Sequence, residues 1–304
     1  MKKLRFLLVS STALSLVFTL GLEAKSKREV LEKNLTIDLS QPVSLEFIDV
    51  DGDLKFSSWE KSLVNIRVTK EAKALDSRRS EKLLRETEVE ISQRKNEIKV
   101  EIHYPRLKGL FFWLTDLSRV KVKTEIILPR RSEVRGRTVD GSIQGENIKG
   151  KAFLRTVDGS IYLRNLQADI RARTTDGRIR IEDINGEVEA RTIDGDVNIS
   201  GVLTELNLSS VDGDIFVNAQ PSSQMKKDWN ISSVDGDIEF YLPPDFSADF
   251  YFRTSDGRIT SRIPLVFTEF SSRKKISGKI NEGGYVLRIK TVDGDILVNT
   301  SSGQ

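Results

Sequence analysis

The chain has 304 residues, 38% of them hydrophobic and 31% charged, a composition that excludes fibrous and disordered classes. It contains no Cys, which excludes disulfides, Cys-based zinc sites and a lipidated N-terminal Cys. The formal charge of +3 is close to neutral and gives no argument for a nucleic-acid partner.

Residues 1–24 read as a signal peptide. Lys2, Lys3 and Arg5 precede an apolar run from Phe6 to Leu22, and Ala24 suits a cleavage site. Ser10, Ser11, Thr12, Ser15 and Thr19 interrupt the run and argue against a permanent span, with an uncleaved anchor as the alternative. Removing Lys2, Lys3, Arg5 and Glu23 takes away a net two positive charges, so a mature chain from Lys25 carries +1. The expected location is exported: periplasm, outer envelope or cell surface.

Residues 25–135 read as an N-terminal β region. Leu35–Leu39 and Val43–Phe47 form strands around Pro42, and Val50-Asp51-Gly52-Asp53 is an outlying copy of the repeat described below. Val64–Val68 alternates apolar and polar residues. A single helix is expected over about residues 74–88, with Leu83 and Leu84 as its apolar contacts and a Glu81–Arg85 pair on its surface. Strand alternation resumes from Glu88 to Ile102 around a turn at Lys95–Glu97. Residues 105–119 form an aromatic loop, whose Phe111, Phe112 and Trp113 either cap an open sheet end or touch a membrane or partner. Val120–Leu128 alternates again.

Residues 136–304 are built on one sentence: Arg137-Thr138-Val139-Asp140-Gly141, the same at Arg155, with Thr175 or Ile193 as third residue at Arg173 and Arg191, then Ser209-Ser210-Val211-Asp212-Gly213. The residues Asp140, Asp158, Asp176, Asp194 and Asp212 recur every 18 positions, so the units stack and support one another. Three residues after each Asp stands Ile143, Ile161, Ile179, Val197 or Ile215. Five after stands Leu163, Ile181, Ile199 or Val217, with Gly145 the exception. Further apolar columns run through Ile148, Leu166, Ile184 and Val202, through Ala152, Ile170, Val188 and Leu206, and through Leu154, Ala172, Ala190 and Leu208. Spacing of two is the strand period. The predicted fold is all-β, a parallel β-solenoid (β-helix) of about 18-residue coils, continuous with the N-terminal part; a series of antiparallel hairpins is the rival. Turns are assigned to Asp140-Gly141, Asp158-Gly159, Asp176-Gly177, Asp194-Gly195 and Asp212-Gly213, with further breaks near Gly150 and Gly186 where Gly allows positive φ. Asp-Gly returns at Asp235, Asp256 and Asp293, at intervals of 23, 21 and 37. These predict coils with inserted loops, then one coil without its Asp-Gly.

The Asp-Gly-Asp strand followed by Trp59, the helical excursion, the strand ending in Leu128-Pro129 and the repeated Thr-x-Asp-Gly-x-Ile together resemble the bacterial "putative adhesin" family. The resemblance spans roughly Leu35 to Val298 and implies an exported or envelope-associated β-solenoid; some relatives belong to cell-envelope stress systems. The family often has Asn or Ser where this chain has Asp before Gly, and Leu110–Leu114 departs from its pattern.

His103 is the single His, which leaves one base for a Ser-His-Asp triad and does not support a His-based metal site. Paired acids such as Asp194/Asp196 invite calcium, which takes about six to eight oxygens. The simpler expectation is that Asp accepts hydrogen bonds from turn amides while Gly takes the unusual φ. No cofactor or metal is expected. Arg137, Arg155, Arg173, Arg191 and Arg253 form an Arg column, with Lys290 equivalent. Either the neighbouring Asp column neutralises it, or it is a basic stripe for an anionic partner. The expected function is a non-catalytic exported scaffold or binding protein of the bacterial envelope, adhesin-like, with an envelope glycan, an anionic polymer or a membrane protein as partner. The alternatives are an envelope-stress sensor, a carbohydrate-active enzyme requiring a groove with converging acids, and self-association through solenoid ends.

Overall fold

The computed structural model describes residues 15–17, 26–74, 77–105, 119–272 and 274–301. Most of the expected signal peptide and the triplet Phe111, Phe112 and Trp113 lie outside them. The described chain is all-β with one short helix.

Two files of parallel strands run through the molecule. In the first, Asp53–Trp59 pairs with Ile143–Glu146, followed by the first halves of Ile161–Arg173, Ile179–Arg191 and Val197–Ser209, then Ile215–Ala219 and Ile238–Leu242. The register places Leu54, Ile143, Ile161, Ile179, Val197, Ile215 and Ile238 side by side, each at most 1% exposed. The second file runs from Val43–Ile48 through Arg131–Arg137 and Lys149–Arg155 into the second halves of the long strands, then Trp229–Ser232. Alternating side chains from both files point inward and form one apolar cluster reaching from Leu35 to Val298. Gly145, the gap in its column, is filled by the Phe56 ring of the neighbouring strand.

The Asp-Gly corner is held by a residue the turn assignment passed over. Thr138, Thr156, Thr174, Thr192, Ser210, Ser233, Thr291 and Thr254 are buried at the corner. Each hydroxyl donates to the carbonyl of a Gly in the adjoining unit at 2.9–3.2 Å. In most units the Gly N–H of the same corner then donates to that hydroxyl, as Gly159 does to Thr156 Oγ1 at 3.3 Å. The glycine requirement is close approach, not positive φ as expected: a Cβ on Gly159 would stand 2.0 Å from the Gly141 carbonyl oxygen. In those units the Gly amide is therefore satisfied by the Thr or Ser hydroxyl rather than by the first Asp, while the two amides before it donate to a carbonyl of the adjoining unit, as Val157 and Asp158 N–H do to the Val139 carbonyl. The second acid of Asp-Gly-Asp caps the next unit: Asp214 Oδ1 accepts from Asp237 N–H at 2.8 Å and Asp237 Oδ1 from Asp295 N–H at 2.7 Å. Ser142 and Ser160 hydroxyls do the same where no acid stands.

The opposite corner uses Asn147, Asn165 and Asp183 at φ of 63°, 51° and 52°, side chains that tolerate the left-handed region. Gly150 and Gly186 do carry the expected positive φ, at 143° and 154°. At Val202 the register slips: Gly201 stands opposite Ile184, Val202 is only half-buried, and Leu203, opposite Gly186, is the buried apolar side chain.

Three expectations are corrected. The helix is Ser77–Glu86, shorter than residues 74–88, and although Leu83 and Leu84 are buried, Glu81 is ion-paired with Lys27 of the strand Ser26–Thr36. The coil predicted without Asp-Gly is a hairpin, Val266–Ser272 with Lys275–Ile280, lying antiparallel against Ala248–Arg253. The chain order of the last units is also reversed. Val286–Lys290 and Ile296–Thr300 insert between Trp229–Leu242 and Ala248–Ser261, so the Asp293 unit separates those of Asp235 and Asp256.

Candidate functional site

Register turns the Arg column into rungs. Arg137 is the cross-strand neighbour of Arg155, Arg155 of Arg173, and Arg173 of Arg191. The row then passes through Ser209 and Ser232 before Lys290 and Arg253. Arg253 is therefore separated from the other four and belongs to a second basic group with Lys275. Two residues earlier on the same face run Arg135, Phe153 and Arg171. Their guanidinium carbons lie 5.4 and 5.6 Å from the Phe153 ring centroid, one on each neighbouring strand. An aromatic ring between two guanidiniums attracts both and limits their freedom.

The two rows line a groove of about 580 Å³ that crosses four adjacent strands. Arg135, Arg137, Arg155, Arg171 and Arg173 face it, with Glu46 as the acid among its lining residues. Among the described residues the counter-charge comes from the face itself and not from the Asp column. Glu189 accepts from Arg173 at 2.7 Å, with Arg191 at 3.3 Å and Arg171 at 3.4 Å. Burial opposes ionisation of Glu189, but those arginines outweigh it and hold its carboxyl below the usual range. Arg135 pairs with Glu133 at 2.6 Å. Arg137 and Arg155, adjacent rungs at the centre of the groove, have no ion pair among the described residues. Like charges about 4.8 Å apart on neighbouring strands repel.

A match to the Toastrack DUF4097 family model covers residues 19–299. The chain belongs to that family. No curated protein matches it. Among solved structures it is similar to a "putative adhesin" from Bacteroides fragilis (11% identity, 88% of this chain and 96% of that one, TM-score 0.42) and to one from Parabacteroides distasonis (15%, 88% and 96%, 0.42). A "putative lipid binding protein" from Parabacteroides distasonis gives 12%, 88% and 96%, 0.41. Among the described residues of this Toastrack member, no helix is long and apolar enough to cross a membrane.

Arg135, Phe153 and Arg171 were missed in the sequence, although Arg135-Gly136-Arg137 and Arg171-Ala172-Arg173 carry the signal: positions two apart share a strand face. His103 stands 3.7 Å from Glu90 and 4.0 Å from Glu101 on the hairpin Glu88–Arg94/Glu97–His103. Glu101 is also held by Lys99 at 2.7 Å, so this exposed cluster reads as surface charge pairing.

The first corner departs from the pattern in a way that titrates. Asp49 occupies the place of the corner Thr: its N–H donates to the Arg137 carbonyl, beside Thr138. It is 3% exposed and lies beside Tyr104, and among the described residues neither its Oδ2 nor the Tyr104 hydroxyl reaches a partner at hydrogen-bond geometry. Burial raises its pKa to about 6, only partly offset by Tyr104 and the Val50 and Gly52 amides, and Asp51 adds to the rise. A raised carboxyl pKa means the folded state holds the proton more tightly than the unfolded chain. Its contribution is therefore favourable at low pH and is lost as pH climbs from about 4 to about 6. Asp49→Thr restores the repeat residue and should raise stability above that window by about 2–3 kcal/mol, with little gain near pH 4. Thermal melts of both proteins across the window check this; parallel pH profiles would refute it.

Proposed function

We propose that the chain is an exported, non-catalytic β-solenoid that uses the basic groove to bind an anionic polymer of the bacterial envelope, an adhesin-like role. The observation that carries this reading is the pair Arg137 and Arg155, two exposed guanidiniums on adjacent rungs without an acid partner among the described residues, flanked by the Phe153-ordered Arg135 and Arg171. Each planar fork can hold a carboxylate or phosphate through two N–H donors. Binding also relieves the repulsion between rungs. One carboxylate in the lining, Glu46, does not make the converging acid pair that glycoside hydrolysis uses, so the groove is read as a holding surface. Family membership supports the fold behind this reading, and the expected signal peptide supports export.

The test is the double variant Arg137→Gln/Arg155→Gln. It breaks no ion pair among the described residues and relieves the repulsion between rungs, so the melting temperature should be unchanged or slightly raised. Each charge-assisted hydrogen bond contributes about 1.5–3 kcal/mol, so affinity for an anionic envelope polymer should fall by about a hundredfold or more. Wild-type binding should weaken as salt rises, because exposed charges are screened beyond about 10 Å at 0.1 M. The control Arg191→Gln, outside the groove lining, strips Glu189 of one partner and should instead cost about 0–1 kcal/mol of stability while binding is kept. Binding of the Arg137/Arg155 variant at wild-type strength would end this reading.

A further inference from the structure

The basic groove does not stop at Arg135. A second depression of about 330 Å³ shares Glu46 and Arg135 with it and continues over Ser44, Ser92, Gln93 and Lys99. Together they cross six neighbouring strands, from Glu88–Arg94 through Glu97–His103, Val43–Ile48, Arg131–Arg137 and Lys149–Arg155 to Ile161–Arg173. Five strand spacings make a trough about 24 Å long.

Its chemistry changes along that length. One end presents five guanidiniums. The other presents hydroxyls and an amide, with Glu46, Glu97, Arg94 and Lys99 of mixed sign. A compact anion would use the basic end alone. A polyphosphate would meet Glu46 and Glu97 with like charge. A bilayer would need protruding apolar side chains, whereas Phe153 is half-buried between two guanidiniums. An extended molecule with hydroxyls along its length and carboxylates at intervals meets every part of the lining: carboxylates on Arg forks, hydroxyls donating to Glu46 and exchanging hydrogen bonds with Ser44 and Ser92.

Resting on the groove reading above, we propose that the whole trough binds one strand of an acidic, uronate-bearing polysaccharide lying across the strands, along the axis of the stack. Arg137 and Arg155 take its carboxylates, and Ser44, Glu46 and Ser92 take hydroxyls of the adjoining sugars.

Calorimetric titration with a monomeric uronate, uronate oligomers of increasing length, a neutral polymer of similar sugars, polyphosphate and anionic phospholipid vesicles tests this. Affinity should rise with oligomer length until the trough is filled, and the neutral polymer, polyphosphate and vesicles should bind weakly. Ser44→Ala/Ser92→Ala removes one half-buried and one exposed hydroxyl, should melt like wild type, and should weaken long oligomers by about tenfold while leaving the monomer unchanged. Length-independent uronate binding would overturn the trough while leaving the Arg groove standing, and so would equally tight Arg-dependent binding of polyphosphate or vesicles. Loss of all Arg-dependent anion binding would remove both readings.

Discussion

Deleting residues 285–304 should unfold the C-terminal third of the protein while the central repeats stay folded. The segment looks like a dispensable terminal strand pair, but it is threaded between two other units. Leu287 and Ile289 pack beside Trp229 and Ile231 on one side and Phe250 and Phe252 on the other. Ile296 and Val298 are sandwiched between Ile238 with Phe240 and Ile259. These four side chains are fully buried, and at about 1.5–3 kcal/mol each their loss amounts to about 6–12 kcal/mol, as large as the stability of a whole domain. Their neighbours would face water as well. In a stacked array such a loss spreads to adjacent units and fades with distance. Hydrogen exchange should therefore show lost protection over residues 229–280 and retained protection over Ile143–Val217. If the truncated chain kept native protection around Trp229 and Phe240, the inserted position of the last unit would be wrong.

Ile179→Asp should be the most damaging single substitution among the central repeats, and Arg178→Asp nearly silent. Ile179 is 0% exposed, between Ile161 and Val197. A carboxylate there loses the apolar contact and finds no partner, a cost of about 4 kcal/mol or more. One residue earlier, Arg178 is exposed and offers a single ion pair to Asp196 at 3.2 Å, a surface contact of about 0–1 kcal/mol. Its structural role belongs to the backbone, since its N–H donates to Ser160 Oγ at 3.2 Å. Chemical denaturation of the two variants decides: equal midpoints would mean that the inside and outside of the strand had been exchanged.

The central repeats were legible because their determinants are local. Strand alternation sends every second side chain inward, and a constant period of 18 puts equivalent side chains beside one another. Ile143, Ile161 and Ile179 thus line up without further instruction, as do Arg137, Arg155, Arg173 and Arg191. Gly145 could be seen as a gap, but its filling by Phe56 comes from a strand almost ninety residues away in sequence. The corner hydrogen bonds were half legible. Thr-x-Asp-Gly marked the turn, whereas the donor role of Thr depends on the carbonyl of the adjoining unit.

Other features follow from which strands meet, and the period carries no information about that once it breaks. After Val217 the intervals of 23, 21 and 37 are compatible with several orders of stacking. The observed order is set by contacts such as Asp295 N–H to Asp237 Oδ1, 58 residues apart. The same limit applies to the groove. Sequence placed a row of arginines on one face, but not the counter-ion Glu189, which reaches Arg173 from the next strand, nor the Phe153 ring between Arg135 and Arg171. The chain itself thus determined the repeat, its inward face and its charged row, because each is read within one unit. Packing of units decided the order of the last coils, the shape of the trough and which arginines meet an acid, because those depend on side chains that only neighbouring units bring together.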